Sequence, residues 1–239
     1  MVRVEISVES VAGARAAIAG GADRAELCAG LSDGGLTPSA ALIELAAAEA
    51  EVHVLIRPRP GDFVYSADDL AVMLRDIEVA RSAGAAGVVL GALDASGELA
   101  VAPLVEAGEG LELTLHRAID VCADSRRALD EAVSLGFHRV LTSGRRSSAL
   151  DGAPLIRELV ERADGRLAVM ACGGVRPDNV ARVVELTGVV DVHAGLRKPV
   201  PGARAEGVSY AGVGVPEGHD HFETDLDAVI ALRAALSGA

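Results

Sequence analysis

A histidine, an arginine and an aspartate follow one short alternating run in the middle of the chain, residues 111–124 (LELTLHRAIDVCAD). Alternation of leucine with polar residues is typical of a β-strand, and His116, Arg117 and Asp120 come where that strand ends. Histidine transfers protons near neutral pH, and arginine holds anions. The stretch therefore predicts acid–base chemistry on a small anionic molecule.

Side-chain direction adds residues from other strands to this group. Where helices cover the outer face of a sheet, a charged strand residue points inward or lies at a strand end. Glu26 is flanked by apolar residues in one predicted strand, and His193 ends another. The predicted catalytic residues are Glu26, His116, Asp120 and His193.

Arginines and glycines at further strand ends predict an anion site. Guanidinium groups match carboxylate and phosphate in geometry, and glycine lets backbone N–H groups approach a ligand. The glycines have an alternative role in tight turns from strand to helix. Glu5, Glu26 and Arg57 have an alternative role as a structural layer of ion pairs. The predicted anion-binding residues are Arg57, Arg59, Arg117, Ser143, Gly144, Gly173 and Gly174.

The three cysteines, Cys28, Cys122 and Cys172, fall at or beyond the ends of predicted strands. Thiolates suit Cu(I), but the chain has no CxxC or CxC pair, so a metal site would be assembled across the mouth of the fold. The alternative is three small buried thiols without a ligand. An odd cysteine count in a chain of this length favours a reducing cytoplasm over a disulfide framework.

Composition excludes several classes of protein. The net charge of −13 argues against nucleic acid and anionic membrane surfaces as partners. The sequence has no apolar run long enough for a transmembrane helix, and its alternating N-terminus does not resemble a signal peptide. With 50% hydrophobic but only 2% aromatic residues, the core must be aliphatic. Such a chain is expected to bury some helix faces between subunits, most simply in a C2 dimer.

The elements that must position these residues alternate strand and helix along the 239 residues. Eight such units predict a single-domain α/β fold, the (β/α)8 TIM barrel, over residues 1–239. The alternative, a doubly wound open sheet, predicts a glycine-rich loop after the first strand, and residues 7–10 contain no glycine. The predicted strands are 2–8, 24–28, 52–56, 87–90, 112–116, 139–142, 167–170 and 189–193.

Two parts of the chain have a weaker pattern. Residues 102–107 carry only a weak signal for the fourth helix of the barrel. Residues 197–222 show no clear period and are predicted to be a long loop, which leads to a final helix over 225–236.

Several segments resemble the CutC family of copper homeostasis proteins, in the order of that family and over about 2–195. The resemblance implies a (β/α)8 barrel, a cytosolic protein and Cu(I) binding, with Cys28 and Cys122 matching cysteines of the family. This chain departs from the family at residues 7–8, Ser-Val, where many relatives carry a cysteine. The segments are ADRAELC (22–28), DGGLTPS (33–39), IRPRPGDFVYS (56–66), HRAID (116–120), VLTSG (140–144) and GGVRPDNV (173–180).

Two functions from different classes follow. The resemblance implies a copper homeostasis protein whose partner is a copper ion. The residue types instead favour a TIM-barrel enzyme that uses histidine and glutamate for acid–base chemistry on a small phosphate or carboxylate. A Schiff-base enzyme is not expected, because the only lysine, Lys198, lies beyond the eighth predicted strand.

Overall fold

The computed structural model describes residues 2–201, 215–216 and 219–237. Eight parallel strands form a closed barrel, in which each strand pairs with the next and the first pairs with the eighth. The predicted barrel is confirmed, and the alternative of an open sheet is wrong. The strands are β1 (Arg3–Val8), β2 (Arg24–Leu27), β3 (Val52–Leu55), β4 (Gly87–Leu90), β5 (Glu112–Leu115), β6 (Arg139–Thr142), β7 (Ala168–Ala171) and β8 (Asp191–Ala194).

Helices connect the strands, and short polar side chains begin several of them. Ser10 and Ser39 accept hydrogen bonds from backbone N–H groups of the first helical turn, and Ser66 forms a reciprocal capping box with Asp69. The weakly signalled fourth helix is present. The helices are α1 (Val11–Ala19), α2 (Ala40–Ala47), α3 (Ala67–Ser82), α4 (Ala102–Ala107), α5 (Ala118–Val121), α6 (Ser125–Ser134), α7 (Ala153–Ala163), α8 (Val180–Thr187) and α9 (Leu226–Ser237).

The prediction of one long loop over 197–222 is wrong at both ends of that segment. β9 (Arg197–Pro201) and β10 (His219–Thr224) form an antiparallel ribbon outside the barrel. The prolines of β9 argued against a strand in the sequence, because proline lacks an N–H donor for pairing. An edge strand nevertheless tolerates proline. Residues 202–214 and 217–218 lie outside the described residues.

Aliphatic side chains from the outer face of the barrel and the inner faces of the helices form the main core. In the part of the chain that the structure describes, no helix is long and apolar enough to cross a membrane. Exposed apolar side chains include Leu45 on α2 and Val72 on α3. The dimer stays a prediction.

The interior of the barrel contains a buried ionic layer. Arg24 Nε lies 2.6 Å from Glu5 Oε2, and Arg24 Nη2 lies 2.9 Å from Asp191 Oδ2. Arg139 Nε binds the same Asp191 oxygen at 2.8 Å. All four side chains are at most 4% exposed, so two buried cations and two buried carboxylates balance each other. Glu5 thus joins a structural layer, whereas Glu26 lies one inward-facing position nearer the C-terminal rim, beside Ser7.

Candidate functional site

A cavity of about 420 Å³ opens at the C-terminal ends of the strands. Barrel enzymes place their sites at this end of the fold. The cavity brings together all four of the predicted catalytic side chains, with two arginines and a cysteine beside them. Its polar lining residues include Glu26, Cys28, Arg57, His116, Arg117, Asp120 and His193.

His193 lies between two carboxyl groups. Its Nδ1 is 2.7 Å from Glu5 Oε1, and its Nε2 is 3.8 Å from Glu26 Oε2. Burial opposes ionisation of Glu5, but Arg24, His193 and His53 together outweigh burial and lower the Glu5 pKa. Because Glu5 is ionised, it orients the imidazole with Nδ1–H as donor and leaves Nε2 facing Glu26.

Glu26 and His193 both have raised pKa values. Burial raises the pKa of Glu26, and His193 only partly opposes this shift. Burial would lower the pKa of His193, but Glu26 and Glu5 together raise it. A buried carboxyl group with a raised pKa beside a histidine with a raised pKa is a combination suited to an acid–base pair.

His116 is a neutral hydrogen-bond donor. Its Nδ1 accepts the backbone N–H of Ala118 at 3.1 Å, so the proton of the neutral ring lies on Nε2. Burial, assisted by Arg57, lowers the His116 pKa to about 3. Among the described residues, Nε2 has no partner. The ring lies against Phe63 with centroids 4.6 Å apart, and a Cβ at Gly91 would lie 2.5 Å from His116 Cε1, so position 91 requires glycine.

Arg57 supplies a positive charge without a carboxylate partner within the described ranges. Its guanidinium donates to the carbonyls of Asp33, Gly35 and Gly61, at 3.3, 2.9 and 2.8 Å. These bonds hold the loops after β2 and β3 without neutralising the cation. The buried charge therefore favours an anion in the cavity.

Asp120 has its oxygens occupied. It accepts hydrogen bonds from Thr142 Oγ1 at 2.5 Å, from Arg117 Nε at 2.9 Å and from the backbone N–H groups of Ser143 and Arg145. Burial raises its pKa, but these donors outweigh burial and lower it. A catalytic role stays a prediction, and the geometry favours positioning of the loop after β6.

The predicted anion-binding residues divide into two groups. Arg57 and Arg117 line the cavity, and Gly173 and Gly174 line a neighbouring one. Arg59 instead binds Asp62, Asp69 and the Val64 carbonyl. Ser143 binds Asp120, and neither Ser143 nor Gly144 lines either cavity.

The thiols do not form one cluster. Cys28 lines the cavity and donates to Glu26 Oε2 at 3.4 Å, and burial raises its pKa. Cys122 lies in the main core and donates to the Ile119 carbonyl at 3.2 Å. Cys172 packs with Leu141 and Met170. A Cu(I) ion fits this arrangement poorly, because one protonated thiol is the only soft ligand among the described residues that line the main cavity.

One group of possible metal ligands occurs among the described residues, namely Glu5, Glu26 and His193, whose ligand atoms lie within 4.8 Å of one another. It contains no thiol, and Glu5 is already bound to Arg24. Sequence reasoning identified Glu26 and His193 but not the contact with Glu5. The alternation pattern was the signal that could have revealed this contact, because it places both Glu5 and His193 on the inner face. Their strands, β1 and β8, pair only when the barrel closes.

Comparison with known proteins gives consistent matches. The CutC family model matches residues 2–198. A protein named CutC from Caulobacter vibrioides is 48% identical, over 98% of both chains. Another from Agrobacterium fabrum is 44% identical and is covered over 94% of its length, with 98% of this chain aligned.

Solved structures extend the comparison. A crystal structure of a proposed copper homeostasis protein CutC from Streptococcus agalactiae superposes with a TM-score of 0.76 and 32% identity, covering 81% of this chain and 98% of the other. A thiamine phosphate pyrophosphorylase from Pyrococcus furiosus superposes with a TM-score of 0.59 at 18% identity, covering 99% of this chain and 96% of the other. The second likeness concerns the fold alone.

Proposed function

The chain belongs to the CutC family, and on that premise we propose that it is an enzyme that transfers protons to and from a small anionic molecule. The observation that carries the proposal is the placement of His193, 2.7 Å from Glu5 and 3.8 Å from Glu26 in the wall of a cavity. An ionised carboxylate that orients a histidine toward a second, more weakly acidic carboxyl group is an arrangement suited to acid–base catalysis.

Each group has a separate task in this proposal. Glu26 and His193 give and take the proton. His116 Nε2–H donates to an oxygen of the substrate on which negative charge develops, and its neutral ring leaves this donor in place across the physiological pH range. Arg57 and Arg117 attract the anionic group of the substrate. The free thiols fit a reducing cytoplasm, which we propose as the location.

A deuterium-exchange screen tests the proposal. The protein is incubated in D2O with a set of small carboxylic acids and phosphate esters, and mass spectrometry records deuterium uptake or a new product. We expect at least one compound to react with the wild-type protein, because reversible proton transfer leaves deuterium on the substrate.

Glu161→Gln serves as the matched control, since Glu161 is exposed on α7, pairs with Arg157 and does not line the cavity. Equal uptake with the wild-type protein and Glu26→Gln, or no uptake across the set, would contradict the proposal.

Copper handling is the second candidate. The name of the Streptococcus agalactiae relative favours it, as does the presence of Cys28 in the cavity wall. The matched pair Cys28→Ser and Cys122→Ser separates the two candidates, because both thiols are buried but only Cys28 lines the main cavity.

For copper, we expect the wild-type protein to lose Cu(I) to a competing chelator such as bicinchoninate, because a single protonated thiol binds the ion weakly. The measurement is a titration followed by absorbance of the chelator complex. Stoichiometric retention by the wild-type protein and Cys122→Ser, but not by Cys28→Ser, would replace the enzyme proposal with copper binding.

A further inference from the structure

A second cavity, of about 260 Å³, lies where the loops after β7 and β8 meet. We infer that it binds the phosphate group of a phosphorylated small molecule, whose carbon part extends to Glu26 and His193. This inference rests on the proposed function, and it names the class of substrate.

The lining of the second cavity is positively charged. Arg117, Arg176 and Arg197 line it together with His193, and its lining residues include no aspartate or glutamate. Such a concentration of cations is unusual in a chain with a net charge of −13. A concave surface of one charge sign concentrates ligands of the opposite sign.

The three arginines retain donors for a ligand. Arg176 Nη1 donates to the carbonyls of Val175 and Gly195, at 3.0 and 3.5 Å, and no carboxylate within the described residues pairs with it. Arg117 and Arg197 are each held by one carboxylate, Asp120 and Glu9. Since a guanidinium group has five N–H donors, each arginine is oriented and still able to bind phosphate oxygens.

The backbone contributes further donors. Gly173 and Gly174 have φ values of 92° and 68°, in the left-handed region that favours glycine. In the described part of the chain, several backbone hydrogen bonds form outside helices and strands. The N–H groups of Gly173, Gly174 and Gly195 are donors in none of them. A Cβ at Gly195 would lie 3.2 Å from Ser7 Oγ and would narrow the cavity. Glycines after the seventh and eighth strands of a barrel commonly bind phosphate through such N–H groups.

The two cavities adjoin each other. Arg117 and His193 line both, as do Ser7, Leu31 and Leu141. A molecule anchored by its phosphate near Arg176 therefore passes His193 before it reaches His116. This arrangement fits a phosphate ester of a small carbon chain better than a dicarboxylate, because three arginines and several N–H groups match the three terminal oxygens of a phosphate.

Binding titrations test the phosphate site directly. Isothermal titration calorimetry is run with inorganic phosphate, glycerol 3-phosphate and succinate on the wild-type protein, Arg176→Ala and Arg197→Ala. We expect both phosphate compounds to bind more tightly than succinate. Each substitution should weaken phosphate binding about tenfold to a hundredfold, as expected for loss of a charge-assisted hydrogen bond.

Arg157→Ala is the matched control, because it removes the same charge from an exposed pair on α7 and should leave binding unchanged. The inference is overturned if phosphate does not bind the wild-type protein, or if Arg176→Ala and Arg197→Ala both bind it as the wild-type protein does.

The two proposals fail separately. Phosphate binding that persists in Glu26→Gln, with no deuterium uptake by any compound, would leave the phosphate site standing and remove the acid–base function. Uptake confined to compounds without phosphate would do the reverse.

Discussion

Replacement of Asp191 by alanine is expected to lower the free energy of unfolding by about 3–5 kcal/mol, the usual loss when a buried ion pair is broken from one side. One oxygen of Asp191 binds both Arg24 and Arg139 inside the barrel. Arg24 Nη1 already has no partner among the described residues, so removal of Asp191 would leave the guanidinium bonded to Glu5 and Met170 only. Urea denaturation followed by circular dichroism measures the change.

Asp130→Ala provides the comparison. Asp130 also pairs with an arginine, Arg162, but both side chains are more than 40% exposed. Water replaces such a partner at little cost, so the loss should be far smaller than for Asp191→Ala. Similar midpoints for the two variants would show that the ionic layer does not stabilise the barrel.

Replacement of Glu26 by glutamine is expected to lower turnover by about 10²–10⁴-fold, the usual contribution of a positioned acid–base group. Glutamine preserves the size of the side chain but cannot exchange a proton with His193. The rate is measured on the first compound that takes up deuterium, with Glu161→Gln as control. An unchanged rate in Glu26→Gln would exclude this residue from catalysis.

The pH profile gives a second measurement on the same variant. Burial raises the Glu26 pKa, so the carboxyl group keeps its proton above the ordinary carboxyl range and loses it as the pH rises. If the rate requires protonated Glu26, the rate should fall as the pH rises through the Glu26 pKa. This decrease should be absent in Glu26→Gln. Because Glu26 and His193 interact, the apparent pKa belongs to the pair.

Local pattern predicted the barrel and the inward direction of some side chains of the candidate site. Alternation located the strands, and it assigned Glu26 and His193 to the interior because side-chain direction in a strand depends only on neighbouring residues. The same reasoning placed Glu5 inside, but it could not distinguish Arg24 as the partner of both Glu5 and Asp191, since Asp191 is 167 positions from Arg24.

Loop residues were predicted less well because their partners depend on how separate loops meet. Asp120 was predicted as a catalytic residue, and its local sequence did not reveal that it binds Thr142 and Ser143, more than 20 positions away. Arg59 lies near Arg57 in sequence, but local carboxylates turn it away from the cavity. The prolines of β9 concealed a strand that only its pairing with β10 reveals.

The contact between β1 and β8 has a consequence for the order of folding. Glu5 and Arg24 are 19 positions apart and can pair when β1 and β2 form, whereas Glu5 and His193 are 188 apart. Contacts across so long a loop form late, because the chain must first lose the entropy of closing that loop. The histidine of the proposed acid–base pair therefore reaches its carboxylates in the step that closes the barrel, and a partly synthesised chain that lacks β8 does not yet contain that pair.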